Sequence, residues 1–419
     1  LEAAMNLMKF YTPWVFIGLT SLTFNAADAL QTPAADLIIT GGNVVTMDTA
    51  RPTAQAIAIR NGRILAVGDN DRIRRFANHK TERLELDGEF VMPGFIESHG
   101  HFLGLGESMM MLQLGDAKSW DEIVNRVGRA AEMTPAGEWI VGRGWHQAKW
   151  NQTPEPSVDG YPYADRLSEL TPANPVLLTH ASGHMSLANE YAMRLAKIDN
   201  ETRNPPGGEI VRESSGRAIG VFRETAQSLI SRIKARDDAN RSAADHLQFS
   251  LKAIDLAVAE CLRNGVTSFQ DAGSSFRQID YLRSVAEGGS LGVRLWVMVR
   301  EGNDRLRERL ADYRCVGLAD DFLTVRAIKL SIDGALGAHG AWLLAPYEDL
   351  PTSTGLNTEP LESVLAAAEI AIANDCQLCI HAIGDRANRE VLEIYEQSFK
   401  KYPHNRSRRW RIEHAQHLH

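Results

Sequence analysis

Apolar positions along this chain recur in two alternating periods, and the alternation predicts a barrel of parallel strands. Short apolar runs at 90–101, 266–269, 293–299, 325–332, 378–381 and 410–414 have the length of buried strands. Between them the pattern turns helical. Leu247, Leu251, Ile254, Val258 and Leu262 repeat at helical spacing over 242–263, and Asn264-Gly265 closes the run. Leu361, Leu365, Ala368 and Ile372 form one stripe over 361–373, and a further helix is predicted over 386–399. Strands alternating with helices build a parallel sheet, so the fold class is α/β. Eight strands close a (β/α)8 ring of the TIM type, and six are visible in the pattern.

Upstream the rhythm is different. Leu37-Ile38-Ile39, Val44-Val45-Thr46-Met47, Ala56-Ile57-Ala58-Ile59 and Ile64-Leu65-Ala66-Val67 are strand-like, and Asn61-Gly62 between two of them marks a hairpin. Residues 36–88 are therefore expected to form a small N-terminal β-sandwich domain, with the barrel occupying 89–419. Residues 103–240 interrupt the barrel after its first strand. They are aromatic-rich at 139–150, strand-like at 175–180 and hairpin-like over 208–222 around Ser215-Gly216. A long insertion on a barrel loop is expected to form a lid or substrate-binding region.

Residues 1–29 carry an apolar stretch at 13–24 followed by Ala27-Asp28-Ala29, the pattern of a secretory signal with its cleavage site. The expectation is a periplasmic or secreted protein with no stable membrane span after cleavage; the alternative is a buried N-terminal helix. A net charge of −8 argues against nucleic acid or an anionic membrane as partner and leaves a small-molecule substrate. Four cysteines in 419 residues do not make a disulfide scaffold. Cys376 and Cys379 lie within one expected strand, where positions three apart face opposite sides, so they read as buried thiols rather than a metal pair.

The chemistry gathers where the strands end. His99 and His101 close the first run, Lys329 lies in the fourth, and His381 and His414 end the last two. A parallel barrel presents its strand ends on one face, where enzymes of this architecture keep their active sites. Two residues apart on a strand, His99 and His101 point the same way. Imidazole nitrogen suits zinc and similar divalent metals. A lysine inside a barrel either pairs with an acid or loses its charge. Conversion to a carbamate would make Lys329 an oxygen ligand able to bridge two metals; a salt bridge to Asp333 or a surface position is the alternative. Singly, His381 and His414 would be ordinary histidines. With the other three they form a ligand set.

Several segments resemble the amidohydrolase superfamily, in particular the metal-dependent hydrolases of the N-substituted formamide deformylase group (amidohydrolase family 3). They are Val91-Met92-Pro93-Gly94-Phe95-Ile96-Glu97-Ser98-His99-Gly100-His101, Gly142-Arg143-Gly144-Trp145, Pro205-Pro206-Gly207-Gly208-Glu209-Ile210, Gly265-Val266-Thr267-Ser268, the stretch from 329 to 337, His381-Ala382-Ile383-Gly384-Asp385 and Glu413-His414-Ala415-Gln416. The resemblance implies one or two divalent ions, zinc in type. His99 and His101 would hold one, His381 and His414 the other, and a carboxylated Lys329 would bridge them. It implies hydrolysis of a non-peptide C–N bond in an N-acyl or N-formyl amine by attack of a metal-held hydroxide.

His146 and His339 depart from the group's usual Asp and Arg, and both positions are expected to face substrate. Trp145, His180, His184 and Asp333 are the candidate substrate contacts; each Trp or His could instead be a packed or satisfied residue. The superfamily's eighth-strand aspartate, which binds metal and moves the proton, is expected beyond His419. The chain is therefore expected to be a C-terminally incomplete fragment with exposed sheet edges and little activity. A non-catalytic remnant and a hydrolase of a cyclic amide or ester are the alternative functions.

Overall fold

Asn61 and Gly62 take left-handed backbone angles, φ 50° and 68°, as a two-residue hairpin turn requires. They join Ala56–Arg60 to Arg63–Gly68, with Arg60 opposite Arg63. The computed structural model containing this hairpin describes residues 33–183, 185–205, 208–336, 340–348 and 350–419. The expected signal segment 1–29, His184 and His339 lie outside them.

Residues 33–93 form one unit. It has a four-stranded sheet ordered Arg63–Gly68, Ala56–Arg60, Leu37–Thr40, Glu82–Glu85, and a three-stranded sheet ordered Thr53–Ala54, Asn43–Val45, Phe90–Val91. Ile38, Ala56, Ala58 and Ile73 form its core. The apolar run at 90–101, expected to be one barrel strand, is in fact two. Phe90–Val91 belongs to this first unit, and the chain breaks at Pro93-Gly94. Proline there offers no N–H to a ladder, and a side chain at Gly94 would meet Thr267 at 2.2 Å.

Residues 94–419 form the second unit. Its main sheet contains six parallel strands, each beside its successor in sequence: β1 (Phe95–Gly100), β2 (Val266–Ser274), β3 (Arg294–Val299), β4 (Leu323–Ser331), β5 (Gln377–Ala382) and β6 (Arg411–His414). A short strand, Cys315–Gly317, adds antiparallel to β4. Helices connect the strands, and Ala243–Arg263 and Leu361–Ala373 match the predicted spans closely. The strands are buried on two sides. Outward, Val297, Val325 and Leu378 pack with Phe276, Val364 and Val391 of the helices. Inward, Ala272, Met298, Ala327 and Cys379 meet beside Trp296. Cys376 belongs to the outer core and Cys379 to the inner one, as strand alternation requires.

The sheet curls into a nearly closed barrel. Among the described residues no backbone pairing joins β6 to β1, yet Arg411 on β6 donates from Nη2 to the carbonyl of Ser98 on β1 at 3.0 Å.

Between β1 and β2 stands a second sheet of six strands, ordered Gly208–Arg212, Ala218–Glu224, Met185–Ala188, Val176–His180, Ile140–Trp145, Leu112–Gln113. It has its own core of Ile123, Val127, Trp145, Leu178, Leu187 and Val221. Helix Phe102–Met109, which begins as β1 ends, crosses Ala243–Arg263 so closely that a side chain at Gly106 would meet the carbonyl of Ala253 at 1.8 Å. No helix among the described residues is long and apolar enough to cross a membrane.

Candidate metal centre

Strand alternation and register bring the five expected ligands towards the carboxyl ends of the barrel strands. Lys329 on β4 lies opposite Cys379 on β5, and Ser331 lies opposite His381. His381 in turn is paired with Glu413 on β6, next to His414. The imidazole of His414 stands edge-on between two others, its centroid 4.6 Å from His381 and 4.6 Å from His99. His101 sits 6.2 Å from His99, at the start of helix Phe102–Met109. Three strands of the barrel thus contribute to one row of four imidazoles.

Lys329 is 2% exposed, and burial followed by the nearby Arg300 holds its pKa below the usual lysine range. Its charge also reaches His101 and His414. Burial is the main force keeping both imidazoles below their ordinary pKa, with Asp271 opposing it at His101. Neutral imidazole and neutral amine are the forms that can donate a lone pair.

Buried carboxylates support the row. Asp271 on β2 accepts from the Phe102 amide at 2.8 Å and the Ser274 hydroxyl at 2.7 Å. Burial nevertheless raises its pKa. Asp333, just past β4, accepts from the backbone amides of Trp342 and Ile383 at 3.0 Å each and of Gly384 at 2.8 Å. Its Oδ1 lies 3.4 Å from His381 Nε2. Burial works against the ionised form of Asp333, but His381 and the amides of Gly384, Trp342 and Ile383 outweigh it and hold the carboxyl low. Glu413 meets His99 Nδ1 and is gripped by Arg411.

As the side chains stand, no three His, Cys, Asp or Glu among the described residues already form a cage around an ion. The donor set still suits a divalent cation. Four imidazoles and a buried amine converge, and His381 Nε2 is buried with the Asp333 carboxylate 3.4 Å away.

Trp145 and His180 fall elsewhere, at the ends of strands of the inserted sheet. Trp145 is 1% exposed in the core of the inserted sheet, donating from its ring to Leu178 O at 3.0 Å and stacked near Trp150. His180 has partners on both ring nitrogens, Ser182 Oγ at 2.8 Å and Gln147 Oε1 at 3.0 Å. Trp145 and His180 are both buried. Asp333 is buried, with its carboxylate held by backbone amides. Arg411, Glu413 and Asp271 were not among the sequence candidates; only the Glu413-His414 motif touched this group.

A family model described as the amidohydrolase family matches residues 83–419. Protein LONG AFTER FAR-RED 3 of Arabidopsis thaliana is 31% identical over 96% of this chain and 68% of its own length. The putative amidohydrolase YtcJ of Bacillus subtilis is 29% identical over 90% of this chain and 68% of its own. N-substituted formamide deformylase of Arthrobacter pascens is 27% identical over 87% of this chain and 66% of its own. Among solved structures, an uncharacterized metal-dependent hydrolase from Pyrococcus furiosus shares the fold with a TM-score of 0.68 at 23% identity, over 90% of this chain and 76% of that one.

Proposed function

The chain belongs to the amidohydrolase family, and from that premise we propose that it hydrolyses a non-peptide C–N bond in an N-acyl or N-formyl amine. Membership makes it a hydrolase of metal-dependent type. The observation that carries the finer reading is the row of imidazoles, drawn from β1, β5 and β6 and flanked by buried Lys329. Side chains so distant in sequence would not gather polar atoms at one barrel mouth for packing alone. The relationship to N-substituted formamide deformylase supports the substrate class.

In this reading His99, His101, His381 and His414, with a carboxylated Lys329, would hold one or two divalent ions. Zinc bound there would polarise the amide carbonyl and acidify water. The chain's own residues do the positioning. Asp333 holds the loops after β4 and β5 through three backbone amides and sits beside His381. Asp271 pins the start of helix Phe102–Met109, and with it the backbone leaving His101.

The test is zinc loading of the purified chain followed by elemental analysis and a substrate panel. Stoichiometric zinc is expected, with affinity falling by more than about tenfold when His99 and His101 are both replaced by alanine. Activity is expected to be low, and what there is should favour N-formyl and N-acyl amines over cyclic amides and esters. Zinc retained by the double variant would contradict the ligand assignment, and preference for a ring amide or ester would contradict the substrate class.

A further inference from the structure

Glu413 has no role in the ligand set, yet it is among the most enclosed carboxylates of the barrel, at 3% exposure. Its Oε2 meets His99 Nδ1 across the mouth from β6 to β1 and accepts from Arg411 Nη2 at 2.9 Å. Its Oε1 lies 2.8 Å from Arg411 Nε. Arg411 is itself fixed by three other strands. It donates to Ser98 O on β1 at 3.0 Å and to Gln270 Oε1 on β2. Its guanidinium also lies over the Trp296 ring of β3, 5.5 Å from the centroid. The carboxylate therefore has little freedom to turn.

An ionised carboxylate only accepts, so its contact with His99 is a hydrogen bond when Nδ1 carries the proton. The lone pair of that imidazole is then on Nε2. A partner on one ring nitrogen decides which nitrogen is left to bind a metal and raises its basicity. We propose that Glu413, clamped by Arg411, is a positioning residue that fixes His99 as the Nδ1-protonated tautomer and so presents Nε2 to a divalent cation at the strand ends. This rests on the metal-centre reading above. A simple barrel strut would be indifferent to where the proton on His99 resides.

Two measurements on the full chain test it. The first is the tautomer of His99 in metal-free, 15N-histidine-labelled protein, read from long-range proton–nitrogen correlations and assigned with His99→Gln. The Nδ1–H form is expected in the unsubstituted protein and in Glu413→Gln, whose amide oxygen can still accept. It should be lost in Glu413→Leu. The second is zinc affinity by chelator competition. Glu413→Leu should weaken binding by roughly 10–100-fold and Glu413→Gln by less.

A proton on Nε2 of His99 in the unsubstituted chain would overturn the proposal, and this result needs no variant to fold. So would zinc affinity in folded Glu413→Leu within about twofold of the parent, against the effect expected for such partners. An unsubstituted chain that keeps the Nδ1 proton but ignores zinc would overturn it through its premise. The metal reading would then fall while the clamp on His99 stood.

Discussion

His180 carries a pH signature well apart from the candidate centre. Burial, reinforced by neighbouring His146, lowers its pKa from 6.5 to about 4. The folded protein therefore refuses a proton that the unfolded chain accepts. This contribution to stability is complete above pH 6.5 and is lost as pH falls from 6.5 towards 4. His180→Gln cannot titrate, so its urea midpoint should fall less steeply over that window. An identical acid limb in both proteins would contradict the assignment. Asp333 makes a second residue-scale prediction. Removing its carboxylate leaves the amides of Trp342, Ile383 and Gly384 without their acceptor. Asp333→Ala should cost about 3–5 kcal/mol in urea unfolding, and Asp333→Asn, which keeps one acceptor oxygen, should cost less. The strand-end positions of the four imidazoles and Lys329 were legible because each lies in or at the end of an apolar run. Arg411, Glu413 and Asp271 were not, because a lone charge within a strand carries no local mark of the partner it will meet. Local aromatic richness could not distinguish Trp145 packed in a core from Trp145 lining a pocket; the structure places it in the core of the inserted sheet.

At the scale of elements, periodicity found the helices and most strands but not every junction. The helix expected at 242–263 is Ala243–Arg263, capped reciprocally by Ser242 and Asp245. The run at 90–101 looked continuous because hydrophobicity does not register the backbone break at Pro93-Gly94. Glycine at 106 has a reason that no periodic pattern contains. Helix Phe102–Met109 lies against Ala253 so tightly that an added methyl would sit 1.8 Å from a carbonyl oxygen. In an isolated helix Gly→Ala gains about 1 kcal/mol. Here Gly106→Ala should instead lower stability by about 1–3 kcal/mol in urea melts, because the helices must separate. Stabilisation would show that the crossing is looser than described. The same variant should weaken zinc binding, since the helix starts at His101.

Across the whole molecule, alternating strands and helices were enough to read the parallel order from β1 to β6. The inserted six-stranded sheet was only partly legible. Its strand Ile140–Trp145 runs parallel to both Leu112–Gln113 and Val176–His180, pairings that join distant segments and have no hairpin turn to announce them. Curvature was not legible at all, and much of it is expressed in Arg411, which ties β6 to β1, β2 and β3. Arg411→Met should cost about 3–5 kcal/mol, since Glu413 is left buried without its cation. A loss below about 1 kcal/mol, the size of an exposed pair, would argue that the tie is incidental. The central claim is that β1, β4, β5 and β6 deliver their donors to one cation site. Anomalous diffraction at the zinc edge, from crystals grown with zinc, tests it most directly. Density should appear at about 2.0–2.2 Å from imidazole nitrogens of both the His99/His101 pair and the His381/His414 pair, or as two peaks shared between them beside Lys329. Zinc bound only elsewhere, or touching one of these pairs with Lys329 and the other pair turned away, would contradict the account.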